Sequence, residues 1–425
     1  MNDKVNTNSN SANRQSRKGP AIWILAVAGL ILFVTIGWFS PNFTREAGVR
    51  SDPLGSDFLQ EYAGGVVYKT DSGRLYDLKH VRKVQHDVEL LGFQWEESRF
   101  FPMVYPPFYY ASVSPLAELP YLTAARVWMA VMIFFLLVSI WLIGRTLNIH
   151  RLWILLPCLA TPVLLSLSTG QKGTALLLIL TCTWCLSRSK QPLAAGVIFG
   201  LIAFKPHLGI PIGLFMMARR QWSFAIGCWF TVLALVVCSF LTGFETCLGY
   251  FDVTLGFSDY IQNSGYRLEQ AFSLWGSIQL AIDDSMTAKV ATISMTAIVL
   301  LGTCWFLRRK DDSDHDWSLS FSAMVLATVL VAPHLYTYDL TMLVLPAVLL
   351  GHRVFTGQRD WQSVTALCAI VAILFGASAF SQIASLTRIQ IAVPLLLLAW
   401  ALVLFARKRS VAGATTTSPL TQPAT

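Results

Sequence analysis

The sequence predicts an all-α polytopic membrane protein, and three observations carry that prediction. The chain of 425 residues is 54% apolar and 13% charged, with a mean hydropathy of +0.55, whereas soluble domains carry about 25% charged residues. Its apolar residues gather in runs near the roughly 20 residues that cross a bilayer. Lys and Arg collect in short connections between alternate runs, as they do in cytoplasmic loops. The formal net charge of +8 therefore reads as an orientation signal. The expected partner is the lipid bilayer, with no nucleic acid.

Residues 1–20 are polar and Ser/Asn-rich and predict a cytoplasmic tail. The run at 21–39 is long for a signal-peptide core and lacks a small-x-small cleavage site, which predicts an uncleaved first span. Further runs follow at 123–144, 151–168, 173–187, 193–218, 222–242, 288–307, 317–332, 338–352, 361–380 and 388–406. The run at 193–218 holds Phe204-Lys205-Pro206-His207 at its middle. A buried lysine beside a helix-breaking proline predicts two short pieces that turn back at Lys205, giving about 11–12 transmembrane helices. With that turn, and with the N-terminus inside, Arg14/Arg17/Lys18, Arg145/Arg151, Arg188/Lys190, Arg219/Arg220, Arg308/Arg309/Lys310, Arg353/Arg359 and Arg407/Lys408/Arg409 all become cytoplasmic. The transmembrane domain is then 21–409. The Thr/Pro/Ala-rich stretch 410–425 predicts a disordered cytoplasmic tail.

The same threading sends two large loops, 40–122 and 243–287, to the outer side, with most of the acids. Both are too long and too aromatic for linkers. Helical spacing at 57–69, 77–91 and around 268–282 predicts short amphipathic helices on the outer leaflet. Trp95, Tyr105, Phe108, Tyr109, Tyr110 and Trp275 fit an interfacial belt. Also on that side are Thr169-Gly170-Gln171-Lys172, the Lys205 tip, and Pro333-His334-Leu335-Tyr336-Thr337-Tyr338-Asp339.

Several of these residues suit chemistry. Asp57, at the lip of the first span, can take a proton from an acceptor hydroxyl, or it can cap the helix that follows. Lys205 and Lys172 can meet a lipid phosphate, or snorkel to the interface. His334 can donate a hydrogen bond to a phosphate or sugar hydroxyl, or be a plain loop residue. Asp339 reads better as a cap of the next helix. Seven of the eight cysteines fall within apolar runs, so neither a disulfide framework nor a zinc site follows. No phosphate-binding loop, dinucleotide fingerprint or nucleophile elbow occurs, and the Asp-x-Asp metal pattern of nucleotide-sugar enzymes is absent.

The order Ser56-Asp57-Phe58, Tyr62-Ala63, Leu75-Tyr76-Asp77, Tyr105-Pro106-Pro107 with Pro115-Leu116, Gly170-Gln171, Lys205-Pro206 and Pro333-His334 resembles glycosyltransferase family 87 over about residues 50–350. The resemblance implies a GT-C-like bundle and an enzyme of the plasma membrane. Such an enzyme passes a hexose, possibly mannose, from a polyprenyl-phosphate donor to a glycolipid or glycan acceptor on the extracytoplasmic face. It implies Asp57 as catalytic base, Lys205 and His334 near the donor phosphate, and Gln171 lining the cavity. The family often has Asn after its Gly-Gln, where this chain has Lys172, a charge that bears on donor or acceptor preference. A donor with a single phosphate needs no metal for charge neutralisation, and no cofactor is expected. Two other readings remain at this point. One is a transporter or flippase for a lipid-linked or anionic substrate, which should place its ionisable residues near the midplane. The other is a non-catalytic assembly protein with Asp57 as a cap.

Overall fold

The computed structural model describes residues 49–50, 57–95, 97, 99–263, 267–308, 314–357 and 359–416. The expected tail 1–20, the first span at 21–39, Ser56 and the last residues of the C-terminal tail lie outside them. The described chain is all-α apart from a two-residue parallel pairing, Val49–Arg50 with Gln94–Trp95, and an isolated antiparallel bridge between Ala271 and Tyr336.

Four short helices come first: α1 (Phe58–Asp71), α2 (Leu78–Gln85), α3 (Val88–Leu91) and α4 (Pro107–Val113). The expected helix at 77–91 is two helices because each half has its own aspartate cap. The Asp77 carboxylate accepts from the Lys79 and His80 N–H groups, and Asp87 accepts from those of Glu89 and Leu90. Helix α2 is amphipathic as expected, with Val81 buried and Lys79, Arg82 and Lys83 exposed. Helix α1 differs from the surface helix its spacing predicted. Phe58 through Gly65 are all buried, because Gly64 and Gly65 admit Tyr110 and the Val113–Ser114 backbone against it. The aromatics expected as a belt follow suit. Trp95, Tyr105, Tyr109 and Tyr110 are buried inside the protein, while Phe108 and Trp275 are half-buried.

The bundle follows as α5 (Tyr121–Leu147), α6 (Leu152–Cys158), α7 (Thr161–Ser168), α8 (Gly173–Arg188), α9 (Pro192–Gly200), α10 (Pro206–Ala218), α11 (Trp222–Phe240), α12 (Phe244–Asn263), α13 (Leu274–Ala281), α14 (Ser285–Leu307), α15 (Asp314–Val331), α16 (Val344–Phe355), α17 (Trp361–Thr387) and α18 (Ala392–Thr416). Among the described residues, five helical stretches are long and apolar enough to cross a membrane: α5, α11, α14, Thr337–Phe355 and α17. Prolines set the breaks. The run expected at 151–168 is split between α6 and α7, where Pro157 and Pro162 bracket the junction. The last helix continues to Thr416, beyond the boundary expected at 409.

The turn at Lys205 follows from local chemistry and from packing. Pro206 occupies the first position of α10, where its missing N–H costs nothing. A residue before proline is excluded from helical angles, and Lys205 sits at φ −128°, ψ 71°. The two neighbours of this hairpin settle its direction. Leu193 meets Gly227, Gly196 meets Phe224 and Cys228, and Gly200 meets Cys228 and Thr231. Early residues touch early and late touch late, so α9 and α11 are parallel, and α10 between them runs back.

Alternating passes give the bundle two distinct ends. At one, Arg219 and Arg407 donate to the last carbonyls of α14, at Leu307 and Phe306, and Arg353 pairs with Asp360. At the other, the Phe272 N–H donates to the Leu335 carbonyl at 3.1 Å, the Gln390 amide donates to the Glu269 carbonyl, and α1 closes over the 169–172 turn.

Candidate active site

The site is built at the second end, from the 169–172 turn upward. Gly170 adopts φ +77°, a left-handed conformation that glycine takes without steric cost. The Trp128 indole N–H donates to its carbonyl at 2.7 Å. Ser166 Oγ donates to the Gln171 carbonyl and accepts from the Gly173 N–H. Gly173 has no room for a side chain, since a Cβ there would lie 2.7 Å from Ser166 Oγ and from the Tyr338 carbonyl. The turn is thereby fixed, and two adjacent side chains leave it towards α1.

Gln171 Nε2 donates to Asp57 Oδ2 at 2.6 Å. Asp57 occupies the cap position of α1, yet its side chain makes no capping hydrogen bond, so the alternative role considered for it from sequence is not what its carboxylate does. The Phe58 N–H donates to the Thr169 carbonyl at 3.3 Å, binding helix to turn at the same point. Lys172 Nζ pairs with Glu61 Oε1 one helical turn further on. It also lies 4.0 Å above the Tyr105 ring and 5.5 Å from that of Tyr109, a cation–π enclosure.

The hairpin tip enters from another side. Lys205 Nζ lies 2.6 Å from Asp339 Oδ1 and 5.2 Å from the Tyr338 ring centroid. Asp339 is the third residue of a 3₁₀ turn, Thr337–Leu343, rather than its cap residue. Its Oδ2 reaches back to the Tyr336 N–H at 3.4 Å. Glu61 and Lys172 are each 1% exposed, Lys205 4% and Asp339 0%. Ions so placed are stable only when paired. Beside them His207 and His334 meet edge to face at 6.2 Å, and His334 meets Tyr336 at 5.1 Å. Burial, then the neighbouring His207, push the His334 ring down to about 3, so it stays neutral at physiological pH.

The structure thus brings together all five residues singled out from sequence: Asp57, Gln171, Lys172, Lys205 and His334. The Tyr105 phenol stands within electrostatic reach of Lys205, Glu61, Asp339 and Asp57. Tyr109 is hydrogen-bonded to Glu61, and His207 to the His334 backbone. Sequence reasoning missed the partners. Glu61 stands four residues after Asp57 and so shares its helical face, a signal that was available. Asp339 carried no sign that it would meet Lys205. Chemically, the arrangement offers a fixed carboxylate as proton acceptor, with an ammonium and a neutral imidazole as hydrogen-bond donors.

A family model described as Glycosyltransferase family 87 matches residues 103–333. No curated protein and no solved structure gives a match.

Proposed function

This chain belongs to glycosyltransferase family 87, and on that premise we propose that it transfers a hexose, with mannose the leading candidate, from a polyprenyl-phosphate donor to an acceptor hydroxyl of a glycolipid or glycan. The observation that carries this reading is the Asp57 carboxylate, released from helix capping and held at 2.6 Å by Gln171. In the reaction, Asp57 takes the acceptor's proton as the acceptor oxygen attacks the anomeric carbon. The bond from that carbon to the phosphate oxygen breaks with inversion, and the polyprenyl phosphate leaves with its electron pair. Lys205 spends one of its three donors on Asp339, which leaves two for the leaving phosphate, and the neutral His334 ring supplies another hydrogen bond.

We place the chemistry on the extracytoplasmic side of the cell membrane, with the arginine-rich end of the bundle inside. The support is the clustering of Arg219, Arg353 and Arg407 at the end of the bundle opposite Asp57. The ionisable site residues gather at one end rather than at the midplane, which favours transfer over transport.

The test uses purified protein in lipid, a short-chain polyprenyl-phosphate sugar labelled in the sugar, and envelope extract as acceptor. Wild type should move label and Asp57→Asn should not, with both proteins equally folded. Transfer indifferent to Asp57 would overturn the assignment of the base.

A further inference from the structure

We propose that Lys172 is a positioning residue of this site: as the buried counter-ion of Glu61 it screens Asp57 from a second carboxylate and holds Gln171 in register with Asp57, without contacting the donor. The proposal rests on the assignment of Asp57 as base.

Two adjacent residues of one turn engage two residues a helical turn apart on α1. Gln171 takes Asp57 at 2.6 Å and Lys172 takes Glu61. Asp57 has helical backbone angles, φ −66° and ψ −17°, so positions 57 and 61 are stacked on one face, about 5–6 Å apart at Cβ. Two carboxylates so close disfavour each other's ionised form. The ammonium of Lys172 removes that conflict at its source, because it neutralises the carboxylate that has no solvent to do so.

The surroundings of Lys172 argue against a donor contact. It is 1% exposed. Glu61 takes one side of its ammonium, and the Tyr105 and Tyr109 rings roof it at 4.0 and 5.5 Å. The turn that carries it is pinned from α7 by Ser166 and from α5 by Trp128. The Glu61 pair pins the same turn from α1, so that the Gln171 amide arrives at Asp57 in one orientation. Tyr105, Tyr109 and Tyr110 from the 103–110 segment face Glu61, with Tyr109 hydrogen-bonded to it, while Tyr105, Tyr121 from α5 and Tyr338 face Asp57; Lys205 and Asp339 lie within reach of the same Tyr105 phenol. Lys205, the other buried lysine of the site, is matched by Asp339, so the counter-charge of Glu61 is Lys172.

The experiment compares wild type, Lys172→Met, Glu61→Gln and the double variant Lys172→Met/Glu61→Gln, with Asp57→Asn as reference. The probe is the labelled polyprenyl-phosphate sugar, and the readouts are kcat, donor KM and the pH profile of kcat/KM. Lys172→Met should lose about tenfold or more in kcat at neutral pH, with the acid limb moved upward by about one pH unit and donor KM within about threefold of wild type. The double variant, which removes both buried charges together, should recover kcat to within about threefold and return the acid limb to its place. A donor KM raised about tenfold in the double variant, with kcat kept, would overturn the proposal and make Lys172 a phosphate contact. That arm decides the matter even if the single variant does not fold. Transfer surviving in Asp57→Asn would overturn the base itself, and the positioning role with it, whatever the Lys172 arms give.

Discussion

Lys205 Nζ lies 2.6 Å from Asp339 Oδ1, joining positions 134 residues apart. The pair fastens the α9–α10 hairpin tip to the connection between α15 and α16. Removing one partner of a buried pair strands the other charge and costs about 3–5 kcal/mol. Asp339→Asn should therefore melt well below wild type in detergent. Replacing both partners, as Lys205→Met/Asp339→Leu, should recover most of that loss. Equal melting of Asp339→Asn and wild type would show that the pair carries no weight.

The two aspartates at helix starts should behave oppositely. The Asp77 carboxylate accepts from two backbone N–H groups, and the Asp57 carboxylate makes no capping hydrogen bond. Asp77→Ala should lower the melting temperature and leave transfer near wild type, while Asp57→Asn should do the reverse. Circular dichroism melts, run beside the label-transfer assay, separate the two. A large melting loss in Asp57→Asn would return that residue to a structural role.

Gly173→Ala tests how tightly the turn is held. The added methyl would meet Ser166 Oγ and the Tyr338 carbonyl at 2.7 Å and Thr341 Oγ1 at 2.8 Å. Overpacking of this kind costs about 1–3 kcal/mol. The neighbouring Gln171 should shift with the turn, so transfer should fall together with stability. Transfer retained at wild-type level would mean that the turn tolerates displacement.

His334 sets a pH dependence of stability. Its pKa is about 3 in the folded protein, against about 6.5 for an ordinary histidine. The unfolded chain therefore binds the proton first. The stabilisation is complete above about pH 6.5 and is lost as the pH falls from there towards 3. The drop in melting temperature between pH 7 and pH 5 should be smaller in His334→Gln than in wild type. An identical drop would assign the acid sensitivity to other groups.

The spans and the Lys205 break were legible because local rules govern them: apolar runs of bilayer length, and a proline that bars helix in the residue before it. The cluster of Asp57, Gln171, Lys172, Lys205 and His334 was legible as far as loop alternation could place its members at one end. Their pairings were not. Glu61–Lys172 and Asp339–Lys205 span 111 and 134 residues, and no local pattern records which distant charge a buried lysine will meet. The burial of α1 was missed for a related reason. Its spacing suits a surface helix, and only its neighbours reveal that Gly64 and Gly65 are contact points rather than weak helix formers.

The parallel alignment of α9 and α11 has a consequence for biosynthesis. The glycine contacts at positions 196, 200 and 227 join only residues of α9 and α11, so the direction of the hairpin needs nothing that comes later in the chain. Its lysine waits longer. At about 5–20 residues per second, Asp339 follows Lys205 out of the ribosome by roughly 7–27 s. The hairpin is therefore inserted before it can be finished. Its lysine has its counter-ion only once the connection after α15 arrives.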